Sequence, residues 1–524
     1  MPFGPRCRAA HSCCEIYDGG RGFVKSLIVM DLPRTDSNNK FILEGPMRSK
    51  GFVMTLAALL LASIFSHKSQ AQVASRGDLK EIAAEAYIFA YPMVVMATAR
   101  EIMTSVPRSS TTKAPVNSVA KQRVIPNENS NQIYPETDTL ASLAWLDLSQ
   151  EPIVLSFPNA GQRFISFSLI SAWGEVFAAP GSRTLGNQKR DVVITGPGFK
   201  GTLPPTMQRI VAPTNSVWMV GRTQVNGAGD YDRVYGYQDK FKATPLSYFN
   251  KKTAPPLPVT FNIDVDHRTP ILEQVDNLDA RVFFATFAAE LKQNPPAQTD
   301  GKIISKMAAL GIFPDKEFDY DRLPASVREA LNSGYFAGQE KFASFQRGTP
   351  NLRVVNGWGH PILAGRYGTN YQARALMTKL GLATSAPQDL ALAQALVDGR
   401  GERLNGSFKY VLKFPKGTTP PVKGFWSLSL YNTRKFFAAN SANKFAIHSR
   451  DELVKNPDGS IEIYIQSISP GKKLESNWLP SPTGEDFSLV TRFYWPKPSV
   501  LDGSWKMPSL EKVPEFKNLS DNLY

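Results

Sequence analysis

Phe408-Lys409-Tyr410-Val411-Leu412-Lys413-Phe414 sets large apolar side chains at every second position, with Lys409 and Lys413 between them. A period of two gives a strand one dry and one wet face. Trp426, Leu428 and Leu430 alternate in the same way with Ser427 and Ser429, and Ile461, Ile463 and Ile465 alternate with Glu462 and Gln466. Far upstream, Ile165, Phe167 and Leu169 alternate with Ser166 and Ser168, among short segments punctuated by Pro and Gly: Ile153–Leu155, Val192–Thr195 and Ser216–Gly221. Several short strands in each half predict a sheet packed on a sheet in each. The fold class is read as mainly β (α+β).

Between and before the strands the period becomes helical. From Asp78 to about Ala97 the residues Ile82, Ala86, Phe89 and Ala90 recur at helical spacing, with Asp78 as the N-cap. Leu278, Val282, Ala285, Phe287, Ala288 and Leu291 share a broad face before Pro295-Pro296. A second helix, capped by Asp300, runs through Ile303, Ile304, Met307 and Leu310 to Gly311, a third follows Pro324, and a fourth spans Thr369–Leu380. The organisation expected is an N-terminal helix and polar loop at 72–130, a β module at 131–244, a helical connector at 245–350 and a second β module at 351–524.

The first seventy residues read differently. After Met47, Arg48 and Lys50 form a positive region, Phe52 to Phe65 is apolar, and Ser69-Gln70-Ala71 supplies small residues for a peptidase. Residues 47–71 are therefore read as a signal peptide cleaved near Ala71, and 1–46 as a leader upstream of the true start. The expected compartment is periplasmic or extracellular. The apolar run is shorter than the roughly 20 residues that span a bilayer, so no membrane span is expected after cleavage. Cys7, Cys13 and Cys14 all lie in the leader, which leaves no disulfide or thiol chemistry behind it. At 524 residues, 42% hydrophobic and 11% aromatic, the chain has material for at least two cores. Its net charge of +14 is spread thinly, the pattern of a solvated surface and not of a nucleic-acid partner.

Two stretches carry further signatures. Tyr134 to Thr223 contains Asp138-Thr139-Leu140, Leu146-Asp147-Leu148-Ser149, Pro152-Ile153-Val154-Leu155, Gly181-Ser182-Arg183 and Gly221-Arg222-Thr223. Ala364 to Pro508 contains Gly368-Thr369-Asn370-Tyr371, Gly424-Phe425-Trp426-Ser427, Asn477-Trp478-Leu479-Pro480 and Arg492-Phe493-Tyr494-Trp495-Pro496. On these strings the first resembles the DUF1254 family and the second the DUF1214 family, paired domains of bacterial envelope proteins. The resemblance implies two jelly-roll-like β-sandwich modules, side by side and joined by the helical connector. It brings no catalytic residue with it. One departure is Glu136-Thr137-Asp138-Thr139-Leu140-Ala141, where members commonly run Asn-Arg-Asp-Thr-Leu-Tyr.

No nucleophile elbow, phosphate loop, dinucleotide fingerprint or zinc-protease motif is intact. Arg366, Tyr367, Asn370, Tyr371 and Arg374, set among Gly365 and Gly368, could offer charge-assisted and stacking contacts to a carboxylate or sugar. An Arg that ties a helix to a sheet has the same appearance. Trp426 and Trp478 could form a stacking platform, or serve as core residues. Asp264, Asp266 and His267 would share a face if their segment were a strand, and could then hold a divalent ion; a solvated edge is the plainer reading. Arg222 and Arg492 are read as ion-pair partners at strand ends. Three functions stay open: an exported protein that binds or transforms a small polar organic molecule or carbohydrate at the mouth between the modules, a structural envelope protein that forms a homo-oligomer without catalysis, and a metal-dependent hydrolase. Any cofactor is left unknown, and enzyme or binder is left undecided.

Overall fold

Alternation turns Ile165, Phe167 and Leu169 onto one face of a strand, and there they meet Ile153, Leu155, Val192 and Ile194 of a second sheet. This is the core of the first sandwich. A computed structural model describes residues 75–514 apart from 131, 254, 256–260, 349–351 and 383; the expected leader at 1–46 and the expected signal peptide at 47–71 lie outside the described residues. The strands are β1 (Ala120–Lys121), β2 (Thr139–Asp147), β3 (Ile153–Phe157), β4 (Ile165–Ser171), β5 (Val176–Ala178), β6 (Arg190–Thr195), β7 (Gln208–Val211), β8 (Ser216–Gln224) and β9 (Lys242–Pro245). They form one sheet in the order β1-β2-β8-β4-β5 and a second in the order β7-β6-β3-β9.

The second sandwich repeats the plan. Its strands are β10 (Leu352–Val355), β11 (Trp358–Pro361), β12 (Leu390–Ala395), β13 (Tyr410–Phe414), β14 (Trp426–Asn432), β15 (Ala446–His448), β16 (Ile461–Gln466), β17 (Trp478–Pro480), β18 (Phe487–Tyr494) and β19 (Leu510–Lys512). The sheets run β10-β11-β12-β18-β14-β15 and β17-β16-β13-β19. Leu412, Phe414 and Ile463 of one meet Leu428, Leu430, Leu489 and Phe493 of the other. Lys409 and Lys413 point into solvent, as the alternation requires.

The serines behave otherwise. A wet face was expected for Ser166, Ser168, Ser427 and Ser429, yet all four are buried. The reason is that one sheet of each sandwich is covered on both sides. Trp145, Ile170, Trp218 and Val220 on the outer face of the first sheet pack on Met96 and Ala99 of a helix, and Ser168 Oγ lies 3.4 Å from Ser385 Oγ. A serine hydroxyl is small enough to be dry if a partner is present.

The helices form a third body, not a plain connector. They are α1 (Arg76–Thr104), α2 (Tyr231–Lys240), α3 (Ile271–Asp276), α4 (Ala280–Gln293), α5 (Gly301–Met307), α6 (Ala325–Arg347), α7 (Tyr371–Leu380) and α8 (Pro498–Asp502). All but α2 and α8 pack around α1, whose Tyr87, Phe89, Tyr91 and Val94 are sunk among Phe283, Phe287, Leu331 and Tyr335. Asp78 is the N3 residue of α1, not its cap: Ser75 caps, and each side chain accepts the other's backbone N–H, at 2.9 and 3.2 Å. Asp300 does not cap α5 with its side chain. By length and composition 77–104 could cross a bilayer, but 78% of its apolar window is buried among the other helices.

The α1–α6 contact depends on two glycines one turn apart. A Cβ on Gly334 would stand 2.4 Å from Ala83 Cβ, and one on Gly338 would stand 2.7 Å from Tyr87 Cβ. Gly338→Val is expected to push the helices apart and destabilise the protein by about 1–3 kcal/mol. Urea titration should show a lower midpoint with little change of slope; an unchanged midpoint would mean that α6 can slide freely.

Candidate functional site

Two features stand out, a charged seam between the sandwiches and a polar cleft beside α1. The seam begins where Tyr134–Asp138, just ahead of β2, crosses the outer face of the β14–β18 pair. Tyr134 stacks edge-on against Tyr431 at 5.2 Å and its hydroxyl accepts from Gln394 at 2.7 Å. Arg492 donates to the Tyr431 hydroxyl at 2.7 Å and to the Tyr134 carbonyl at 2.9 Å. Tyr431 in turn donates to the Pro135 carbonyl at 2.6 Å.

Asp138, fully buried, sits at the centre. Its Oδ2 accepts from Ser427 Oγ at 2.7 Å and lies 2.9 Å from the Tyr494 hydroxyl, which also touches Glu136. His448 Nε2 is 3.1 Å from both Asp138 Oδ1 and Thr137 Oγ1, while Nδ1 lies 3.3 Å from Asp451 Oδ2. Arg450 covers the Phe425 ring at 4.6 Å, and Phe425 stacks on Tyr494 at 4.2 Å. Arg222 of β8 reaches Glu136 at 3.5 Å and donates to Ser385 at 2.9 Å.

Burial opposes the charged form of Asp138, but His448 and the guanidiniums of Arg492 and Arg450 outweigh it and hold the carboxyl well below its usual range. His448 is likewise opposed by burial, yet Asp138 and Asp451 raise it above the usual imidazole value. Burial, with Asp138 and Glu136 nearby, pushes the Tyr494 hydroxyl far up, so it stays a neutral donor. The seam is an ion network that joins the two sandwiches. Arg222 and Arg492, expected in ion pairs at strand ends, are two of its members, although Arg492 donates its hydrogen bonds to hydroxyls and carbonyls.

The cleft, of about 670 Å³, opens between α1, α4 and the ends of β2 and β8. Trp145 lies on its floor, stacked parallel on Trp218 at 5.2 Å. Arg100 of α1 bridges to Glu290 of α4 at 2.7 Å. Leu278, Val282 and Ala97 give it an apolar strip, and Gln274, Asn215 and Thr286 give it polar groups.

The residues singled out from the sequence fall in three places. Arg366 is exposed and donates to the Val176 carbonyl at 3.3 Å. Tyr367 is buried, its hydroxyl accepting from the Gly365 N–H at 2.9 Å, while its own N–H donates to Glu175 at 2.9 Å. Asn370 caps α7 through the Ala373 N–H, and Tyr371 donates to Asp300 at 3.0 Å. Arg374 is boxed by Phe89, Trp173 and Tyr371 at 5.2–5.3 Å, with Glu175 3.9 Å away. These five form a joint between α7, the first sandwich and the helical body. Trp426 and Trp478 are elsewhere: Trp426 packs on Phe414 inside the second core, and Trp478 donates to the Gln466 carbonyl at 2.8 Å. None of the seven lines the cleft.

The segment of Asp264, Asp266 and His267 is not the strand that a shared metal face required. It is a series of exposed turns, because Asp266 Oδ1 accepts from the backbone N–H groups of Arg268 and Thr269 at 2.7 and 3.2 Å. His267 Nδ1 faces Lys113 Nζ at 2.9 Å, a poor neighbour for a cation. Among the described residues no group of three His, Cys, Asp or Glu side chains could hold a metal ion.

The chain shares its fold with the VPA0106 protein of Vibrio parahaemolyticus, at a TM-score of 0.64 and 22% identity over 84% of this chain and all of that one. An uncharacterized protein from Burkholderia cenocepacia aligns over 82% of this chain and 88% of its own at 11% identity, with a TM-score of only 0.37. No curated protein sequence matches at a significant level. The profile described as "Protein of unknown function (DUF1254)" matches residues 116–245, from just before β1 to the end of β9. The profile described as "Protein of unknown function (DUF1214)" matches 390–498, from β12 to the end of β18 and just beyond. The chain thus carries one segment similar to each of these two profiles, and each segment forms most of one sandwich.

Proposed function

We propose that the protein is an exported binder of a small polar organic molecule, and that the molecule sits in the cleft beside α1. The observation that carries this is the cleft itself: about 670 Å³ falls within the roughly 300–1,000 Å³ usual for small-molecule sites. Its lining mixes an apolar strip with amides, hydroxyls and carboxylates, the composition that orients a polar ligand. The signal-like residues 47–71 support delivery to the periplasm or the exterior.

Val282, 44% exposed on α4, lines the cleft and can be enlarged at little risk to folding. A thermal-shift screen of sugars, organic acids and metal salts is expected to yield a compound that raises the melting temperature with concentration. Val282→Trp should abolish that shift while leaving the ligand-free melting temperature nearly unchanged. A shift that survives in Val282→Trp would move the ligand out of the cleft. A second reading, a structural envelope protein, is favoured by one observation: the seam's charged groups are engaged by carboxylates, hydroxyls and carbonyls of the chain itself. Light scattering that finds a large assembly, together with no response to any compound, would support it.

A further inference from the structure

Resting on the cleft as a ligand site, we infer that its ligand is a neutral, hydroxyl-rich molecule of sugar size and that the cleft rejects anions. The chain as a whole carries +14, which would favour an acid. The cleft reverses that sign. Among the described residues Glu101, Asp147 and Glu290 line it against a single cation, Arg100, and Arg100 is already engaged with Glu290 at 2.7 Å. Glu101 has no ion-pair partner among the described residues. A carboxylate or phosphate entering here would face uncompensated negative charge with no free guanidinium or ammonium to receive it.

The hydrogen-bonding groups require a ligand that both donates and accepts. Trp145 is only 3% exposed, and its indole N–H has no acceptor among the described residues. A ligand oxygen reaching the floor would relieve that buried donor. Gln274 has the opposite need. Both of its amide hydrogens are spent, Nε2 donating to the Asp266 and Thr269 carbonyls at 2.9 and 2.8 Å, so the amide has only its oxygen to offer. That oxygen, like the Glu101 carboxylate, calls for a donor. A hydroxyl supplies both roles from one atom, whereas an ionised carboxylate only accepts. The strip formed by Ala97, Leu278 and Val282 can receive the C–H face that a sugar ring presents beside its hydroxyls.

The test is isothermal titration of the full-length processed protein with glucose, galactose and cellobiose, and with the matched acids glucuronate and galacturonate. At least one neutral sugar is expected to bind about tenfold or more tighter than its acid, a gap of roughly 1.4 kcal/mol. In the Glu101→Gln, Asp147→Asn double variant the acid should gain affinity and the gap should narrow. Acids that bind as tightly as neutral sugars, or a gap unchanged in the double variant, would overturn the ligand class. So would the failure of every sugar to bind. The cleft reading is separable: it survives any of these if another compound stabilises the protein and Val282→Trp removes the effect, and it falls if Val282→Trp leaves that effect intact.

Discussion

Arg492→Leu is expected to destabilise the protein by about 3–5 kcal/mol, the usual cost of deleting one partner from a buried charge network. Arg492 is 6% exposed and, after His448, is the cation that acts most strongly on the buried Asp138. Without it the Tyr134 carbonyl and the Tyr431 hydroxyl lose their donor, and Asp138 retains only His448 and Arg450 as compensating charges. Arg492→Lys should recover only part of the loss, because a single ammonium cannot copy a planar fork that serves two acceptors 2.7 and 2.9 Å away. Urea midpoints of the three proteins check this. Equal midpoints for wild type and Arg492→Leu would show that the seam is not a stabilising joint.

His448→Leu should cost a similar amount, about 3 kcal/mol, at pH 6, and distinctly less at pH 9. The sign follows from linkage. The folded value of His448 is raised above its unfolded one by Asp138 and Asp451, so the charged imidazole contributes stability in full below the unfolded value of about 6.5. That contribution is lost as pH rises through the higher folded value. Wild-type stability should therefore decline on the alkaline side of neutrality, and His448→Leu should lack that decline. Melting temperatures of both proteins between pH 5.5 and 9 in roughly half-unit steps measure the difference. Parallel curves would mean that His448 carries no proton into the fold.

Much of the fold could be read from local pattern. Alternation identified β4, β13, β14 and β16, Gly311 marked the close of the 3-10 turn that follows α5, and Pro324 the start of α6. What local pattern could not convey is that the serine faces of β4 and β14 would be dry. A serine facing water and a serine facing a covering helix have the same period. The candidate site suffered for the same reason. Thr137 and His448 are 311 positions apart and 3.1 Å apart in the fold, and no spacing rule joins them. Asp138 was visible only as part of a motif, and Arg450 and Asp451 not at all, though His448-Ser449-Arg450-Asp451 concentrates three ionisable groups beside a strand. The cleft is lined by α1, α4 and two strand ends, so no single stretch of chain advertises it.

The passage of Tyr134–Asp138 over the second sandwich bears on how this protein can be divided. A fragment cut to the DUF1214 boundaries would uncover Tyr431, Val490 and the unshielded Arg492, leaving an apolar face and a stranded cation open to water. The complementary piece would carry Asp138 with nothing to neutralise it. Heredity can trade the two segments as separate modules only if each trade keeps both sides of this crossing, and recombination between distant members should fail most often there.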